Sequence, residues 1–162
     1  MIKYHGTLRR NIASIKQDGL LSRTGILARD YHEDAVDHVY AVSEDRKGRL
    51  IRIITHQMGI AGLVSLTEGY QFNDFKNDLA AHGAVFTLNQ IGFVECDENG
   101  NPPGAEMGDW YKKESVSVLN IRKVIVGQRL LDWLNPNEVD FKYRDRAILH
   151  KWCVDSSSLA FP

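Results

Sequence analysis

Two cysteines, Cys96 and Cys153, are all that 162 residues hold. That is too few for a disulfide framework or a zinc ribbon, and a reducing, cytoplasmic setting is the expectation. No stretch approaches the ~18 apolar residues of a membrane helix, and Met1-Ile2-Lys3-Tyr4-His5 lacks the apolar run of a signal peptide, so no membrane partner is expected. An excess of one charge is also missing. Twenty Lys+Arg stand against 21 Asp+Glu, which excludes a globally basic nucleic-acid binder while leaving room for a local basic face. There is no Gly-x-Gly-x-x-Gly fingerprint and no P-loop. There is no Gly-x-Ser-x-Gly elbow, and neither cysteine sits in a motif that marks a thiol nucleophile. His32-Glu33 opens like a zinc-protease helix, but the second histidine position holds Val36, and no metal is expected.

Hydrophobic residues make up 43% of the chain, enough for a folded core. The length suits one domain over residues 1–155 with a frayed tail at 156–162. Ile2–Gly6 reads as a strand. Leu8, Ile12 and Ile15 follow at helical spacing, and Gly19 stands where a helix-ending glycine belongs. Leu21–Asp37 reads as loop and His38–Val42 as a strand. Ser43 is placed to cap a helix running to about Met58, with Leu50, Ile51, Ile54 and Met58 as its buried stripe; alternation through Ile51, Ile53 and Thr55 offers a competing strand. Gly62–Thr67 and Ala84–Leu88 read as strands around a helix over Asn73–His82. Asn89–Lys113 is long and rich in breakers, and such loops are usually functional. Glu114–Val118 and Lys123–Val126 read as strands, and a helix is expected within Asn137–Cys153.

Three segments carry candidate chemistry. In Tyr4-His5-Gly6-Thr7, Gly6 has no side chain to block a ligand from the backbone, His5 offers ring nitrogens beside it, and Thr7 can cap the next helix. Tyr40, in Val39-Tyr40-Ala41-Val42-Ser43, is either a sheet-face tyrosine or an aromatic platform for a flat cationic ring. Glu114, in Glu114-Ser115-Val116-Ser117-Val118, is either an ordinary charge at a strand mouth or a carboxylate at a cleft edge. There it could hold a ribose hydroxyl and stabilise positive charge at an anomeric carbon. Arg46, Lys47, Arg49 and Arg52 form either a solvated helix face or an anion-facing patch, with Arg9, Arg10 and Arg23 as further candidates.

In this order the three segments resemble the ADP-ribosyltransferase fold, in its His-Tyr-Glu group of diphtheria-toxin-like and poly-ADP-ribose-polymerase-like enzymes. The resemblance covers residues 4–126. It implies an α+β fold, a split antiparallel β-sandwich with flanking helices, that binds NAD as co-substrate without a Rossmann domain. It implies that the Gly6 backbone holds the nicotinamide amide, that His5 holds a ribose hydroxyl, and that Tyr40 stacks on the nicotinamide ring. Thr7 and Ser43 complete the cofactor-binding set. Glu114 would bind the ribose 2′-hydroxyl and promote loss of nicotinamide. The expected activity is transfer of ADP-ribose to a macromolecular acceptor (DNA, RNA or protein), chosen by the loop Asn89–Lys113. Small members of the group are often bacterial or phage toxins and defence factors, which also implies an antitoxin or regulatory partner.

Two departures narrow this. Arginine-modifying relatives carry a second acid two positions before the glutamate, where this chain has Lys112. The RNA 2′-phosphotransferases share a similar His-Gly-Thr and a His-Val strand like His38-Val39. They carry arginine directly before the first histidine, where this chain has Tyr4, and a winged-helix lobe that is not expected here. Removal of an RNA 2′-phosphate using NAD remains an alternative, as does a catalytically silent module that binds ADP-ribose or a protein.

Overall fold

The computed structural model describes residues 1–21, 39–64, 68–96, 108–112 and 114–141. Helices and strands mix along the chain in an α+β arrangement. Two compact units are each assembled from separate segments.

The first unit comprises Met1–His5, Asn11–Arg46 and Phe86–Val124. Its helix α1, Ile12–Asp18, stops at Gly19, whose φ of 78° no side-chain-bearing residue adopts readily and whose N–H donates to the Ile15 carbonyl. Strands β2 (Val39–Ala41), β4 (Val94–Glu95) and β5 (Trp110–Lys112) form an antiparallel sheet in the order β2-β5-β4. Val39 and Ala41 face inward while Tyr40 between them is half-exposed, as alternation along a strand requires. Ile15, Leu20, Phe86, Leu88, Phe93 and Val116 close the core around them.

The second unit comprises Gly6–Arg10, Lys47–Val85 and Ile125–Pro162. Helix α2, Lys47–Ile60, buries Leu50, Ile51, Ile54 and Met58 to 2% exposure or less. That stripe repeats at helical spacing, so the competing strand reading of Ile51, Ile53 and Thr55 loses. The expected strand at Gly62–Thr67 is corrected where it is described. Gly62 has φ 66°, its N–H donates to Gly59, and Leu63 N–H donates to Met58. These paired bonds close the helix C-terminus; residues 65–67 lie outside the described set. Helix α3, Phe72–His82, begins with a reciprocal Gln71–Asp74 capping box and buries Phe75 and Leu79. Phe75, Phe72 and Tyr70 pack against Phe141, with ring centroids 5.2–6.0 Å from its own. Helix α4, Gly127–Leu134, buries Leu130 and Leu134 and ends at Asn135 in the left-handed region. A short turn, α5, spans Glu138–Asp140.

Strands β1 (Ile2–Leu8), β3 (Gly83–Asn89) and β6 (Ile121–Val126) form a second sheet in the order β1-β3-β6. Each contributes residues to both units. β1 runs two residues beyond its expected end at Gly6, because Gly6, Thr7 and Leu8 are all buried. Thr7 is therefore a strand residue. The cap position before α1 is Asn11, which makes no side-chain cap bond, so the expected Thr7 cap is corrected. β4 and β5 likewise correct the reading of Asn89–Lys113 as irregular throughout, while residues 97–107 and Lys113 lie outside the described set. Residues 22–37 of the expected loop Leu21–Asp37, the later part of the Asn137–Cys153 helix and the tail at 156–162 also fall outside it. No described helix is long and apolar enough to cross a membrane.

Candidate functional site

Three of the sequence-predicted residues, His5, Tyr40 and Ser43, are drawn together in the first unit by an isolated bridge between Tyr4 of β1 and Val42, the residue after β2. Tyr4 and Val42 exchange both backbone hydrogen bonds, each 2.9 Å, in an antiparallel bridge. His5 follows directly, and its Nδ1 lies 2.7 Å from the Tyr40 carbonyl. A carbonyl only accepts, so Nδ1 carries the hydrogen and Nε2 presents a lone pair. Burial pushes the imidazole below its ordinary pKa, partly offset by that hydrogen bond. A neutral ring with a fixed tautomer is suited to accept from a hydroxyl.

Ser43 corrects an expectation. Its hydroxyl caps no helix. Ser43 Oγ accepts from Lys3 Nζ at 3.2 Å and from Trp110 Nε1 at 3.1 Å, and its carbonyl accepts from Arg46 N–H, opening a 3₁₀ turn over Glu44–Arg46 ahead of α2. An ammonium and an indole have hydrogens but no lone pairs, so both oxygen lone pairs are engaged. What the hydroxyl can offer a ligand is its own hydrogen.

Lys3 is the residue that sequence reasoning missed. It is 1% exposed. Its Nζ sits 3.6 Å from the centroid of the Trp110 ring and 3.8 Å from Met1 Sδ, besides donating to Ser43. Burial lowers its pKa, opposed by Glu95 and Asp45. A Lys in an alternating strand opposite a distant Trp leaves no local signal. The pairing of β2 with β5 (Ala41 opposite Trp110), together with the Tyr4–Val42 bridge, brings the ring to the ammonium. Next to Trp110, the buried Asp109 carboxylate takes Arg46 Nη1 at 2.6 Å. Arg46 is thereby paired, and Arg49 is buried in the second unit.

Glu114 also departs from expectation. It is exposed and lies in a bend; no strand covers Glu114–Val118. Val116 makes a single bridge to Leu20, with bonds of 2.8 and 3.0 Å, and Ser117 caps the 3₁₀ turn Val118–Asn120 by accepting from Leu119 N–H. The short segment is held by α1's exit: a Cβ on Gly19 would collide with the Val116 carbonyl. Asp18-Gly19-Leu20 and Glu114-Ser115-Val116 are thus one device, in which the glycine lets the glutamate's segment come close. On its other side, Tyr40 pairs with Tyr111 and Val39 with Lys112. Glu114 leaves the sheet two residues beyond the partner of Val39.

Gly6 and Thr7 belong to the second unit. A Cβ on Gly6 would stand 3.1 Å from Ile54 Cγ1 and 3.2 Å from Leu50 Cδ2, and the Gly6 carbonyl accepts from Gln57 Nε2 at 3.3 Å. α2 already occupies the close approach that this glycine permits, and Thr7 is buried at 4% exposure. Packing accounts for both residues without a ligand. Compared with protein-family models, curated proteins and solved structures, the chain matches none of them.

Proposed function

We propose that the protein is an NAD-dependent ADP-ribosyltransferase of the His-Tyr-Glu type, with the split β-sandwich that this implies, acting on a macromolecular acceptor. The observation that carries the reading is the 2.7 Å contact of His5 Nδ1 with the Tyr40 carbonyl. It joins the first two motif segments, which lie 35 residues apart, and leaves Nε2 to accept a ribose hydroxyl. Tyr40 is half-exposed on the same strand and would stack on the nicotinamide. Ser43 O–H would donate to a carbonyl or phosphate oxygen of the cofactor. Glu114, exposed and carried on a segment fixed at Val116, would take the 2′-hydroxyl hydrogen bond and stabilise the oxocarbenium-like state as nicotinamide leaves. Gly6 and Thr7 are not needed for this scheme.

The test is nicotinamide release from NAD by wild type and Glu114→Gln, with and without cell extract. Glutamine keeps the shape and loses the charge. Release should fall ~10²–10³-fold, with NAD affinity changed far less, because the contact strengthens only in the transition state. Equal release by the two proteins would remove Glu114 from the chemistry. No release by wild type, with NAD bound, would favour the silent binding module.

A further inference from the structure

A second surface of the first unit has a chemistry of its own. Directly after the Glu114 segment, the 3₁₀ turn Val118–Asn120 and strand β6 border a cleft of about 150 Å³. Its apolar lining comes from Phe86, Val118, Ile121 and Val124, and its cations are Lys16, Arg122 and Lys123. Lys16 comes from α1 and the other two from β6, so two separate elements bring positive charge to one place. None of the three has an ion pair or side-chain hydrogen bond among the described residues. The chain as a whole carries a net charge of −1; three cations around one small cleft, without an ion pair among the described residues, are a local grouping that composition does not show. Beside it, Val118 is 40% and Leu119 90% exposed.

We propose that this cleft docks a single-stranded nucleic acid. A phosphodiester carries a full negative charge to meet Lys16, Arg122 and Lys123, and arginine meets phosphate with paired N–H donors. Each nucleotide also brings a flat base whose faces are poorly hydrated. Val118 and Ile121 offer apolar contact in the cleft that also holds the cations, with Leu119 next to Val118 in the chain, and a single strand leaves its bases unstacked to use it. An acidic peptide would satisfy the charges and leave the exposed Leu119 without a partner. Val118 is four residues beyond Glu114 in sequence, with Val116 between them fixed to Leu20. That the docked strand is the ADP-ribose acceptor rests on the transferase reading; that it binds does not.

The experiment measures fluorescence anisotropy of a short labelled single-stranded oligonucleotide, as DNA and as RNA, without NAD. A polyglutamate peptide of equal length serves as competitor. Three phosphate contacts on a single strand give a log–log salt slope of about −2, roughly a 20-fold loss of affinity between about 50 and 200 mM salt. Lys16→Glu/Arg122→Glu should abolish most of the affinity, and the gentler Lys16→Gln/Arg122→Gln should reduce the slope magnitude by about 1.4. Failure of wild type to bind either oligonucleotide, salt-independent binding, equal affinity in a folded Gln/Gln variant, or displacement by polyglutamate at matched charge would each overturn the proposal. Because no NAD is present, none of these results depends on whether nicotinamide release occurs.

Discussion

Replacing Gly19 with alanine is the sharpest test of how the candidate site is built. Gly19 has φ 78° and ψ −170°, a region that is essentially glycine's alone and costs a side-chain-bearing residue about 1–3 kcal/mol. The added Cβ would also meet the Val116 carbonyl. That atom is backbone and accepts the Leu20 N–H, so relief means moving the segment and straining two bridge hydrogen bonds. Each of these is worth about 1 kcal/mol. Together the loss is about 3–5 kcal/mol, which for a chain of this length lowers the melting temperature by roughly 10 °C. Nicotinamide release should fall as well, because Val116 holds the segment that carries Glu114. The assay pairs calorimetry with nicotinamide release, and Gly48→Ala serves as control, since nothing lies within 4 Å of that position and alanine suits a helix. A Gly19→Ala protein that melts and turns over as wild type would refute the close approach of the two segments.

Gly6→Val should destabilise by about 1–3 kcal/mol in urea unfolding, since Leu50 and Ile54 already fill the space beside the Cα; unchanged stability would show that packing does not require the glycine. His5 is neutral-favouring when folded and ordinary when unfolded, so the unfolded chain takes up a proton first as pH falls. The stability His5 confers is therefore present above its unfolded pKa near ~6.5 and lost as pH falls from there toward the lower folded value. Subtracting the melting profile of His5→Gln from that of wild type should reveal this slope, and a flat difference between about pH 7 and 5 would refute it. Lys3→Ala removes a buried stem, a cation over Trp110 and a donor to Ser43, and should cost about 2–4 kcal/mol; equal denaturation midpoints would show that the contact is incidental.

The elements legible in the sequence were those whose signal is local. The stripe Leu50, Ile51, Ile54 and Met58 sets α2 because its period matches the helix. Gly19 ends α1 because few residues can take its φ, and Ala84–Leu88 lies within β3, whose apolar run fits a strand covered on both faces. Tyr40 in a short strand was legible for the same reason. What only the tertiary structure decided are pairings between distant segments. Thr7 and Ser43 have the residue types of helix caps, yet Thr7 is claimed by the burial of β1 and Ser43 by Lys3 and Trp110, 40 and 67 residues away. β4 and β5 are two and three residues long and exist through their pairing, β5 with β2 and β4 with β5, a contact no window of sequence contains. Glu114 looked like the start of a strand from Val116 and Val118. In the folded chain Val116 makes an isolated bridge to Leu20, next to the glycine after α1, and Ser117 turns the chain into a 3₁₀ turn instead of a strand. Local periodicity and backbone stereochemistry are properties of the sequence; which hydroxyl, ammonium or carbonyl meets which is settled by the core that brings them together.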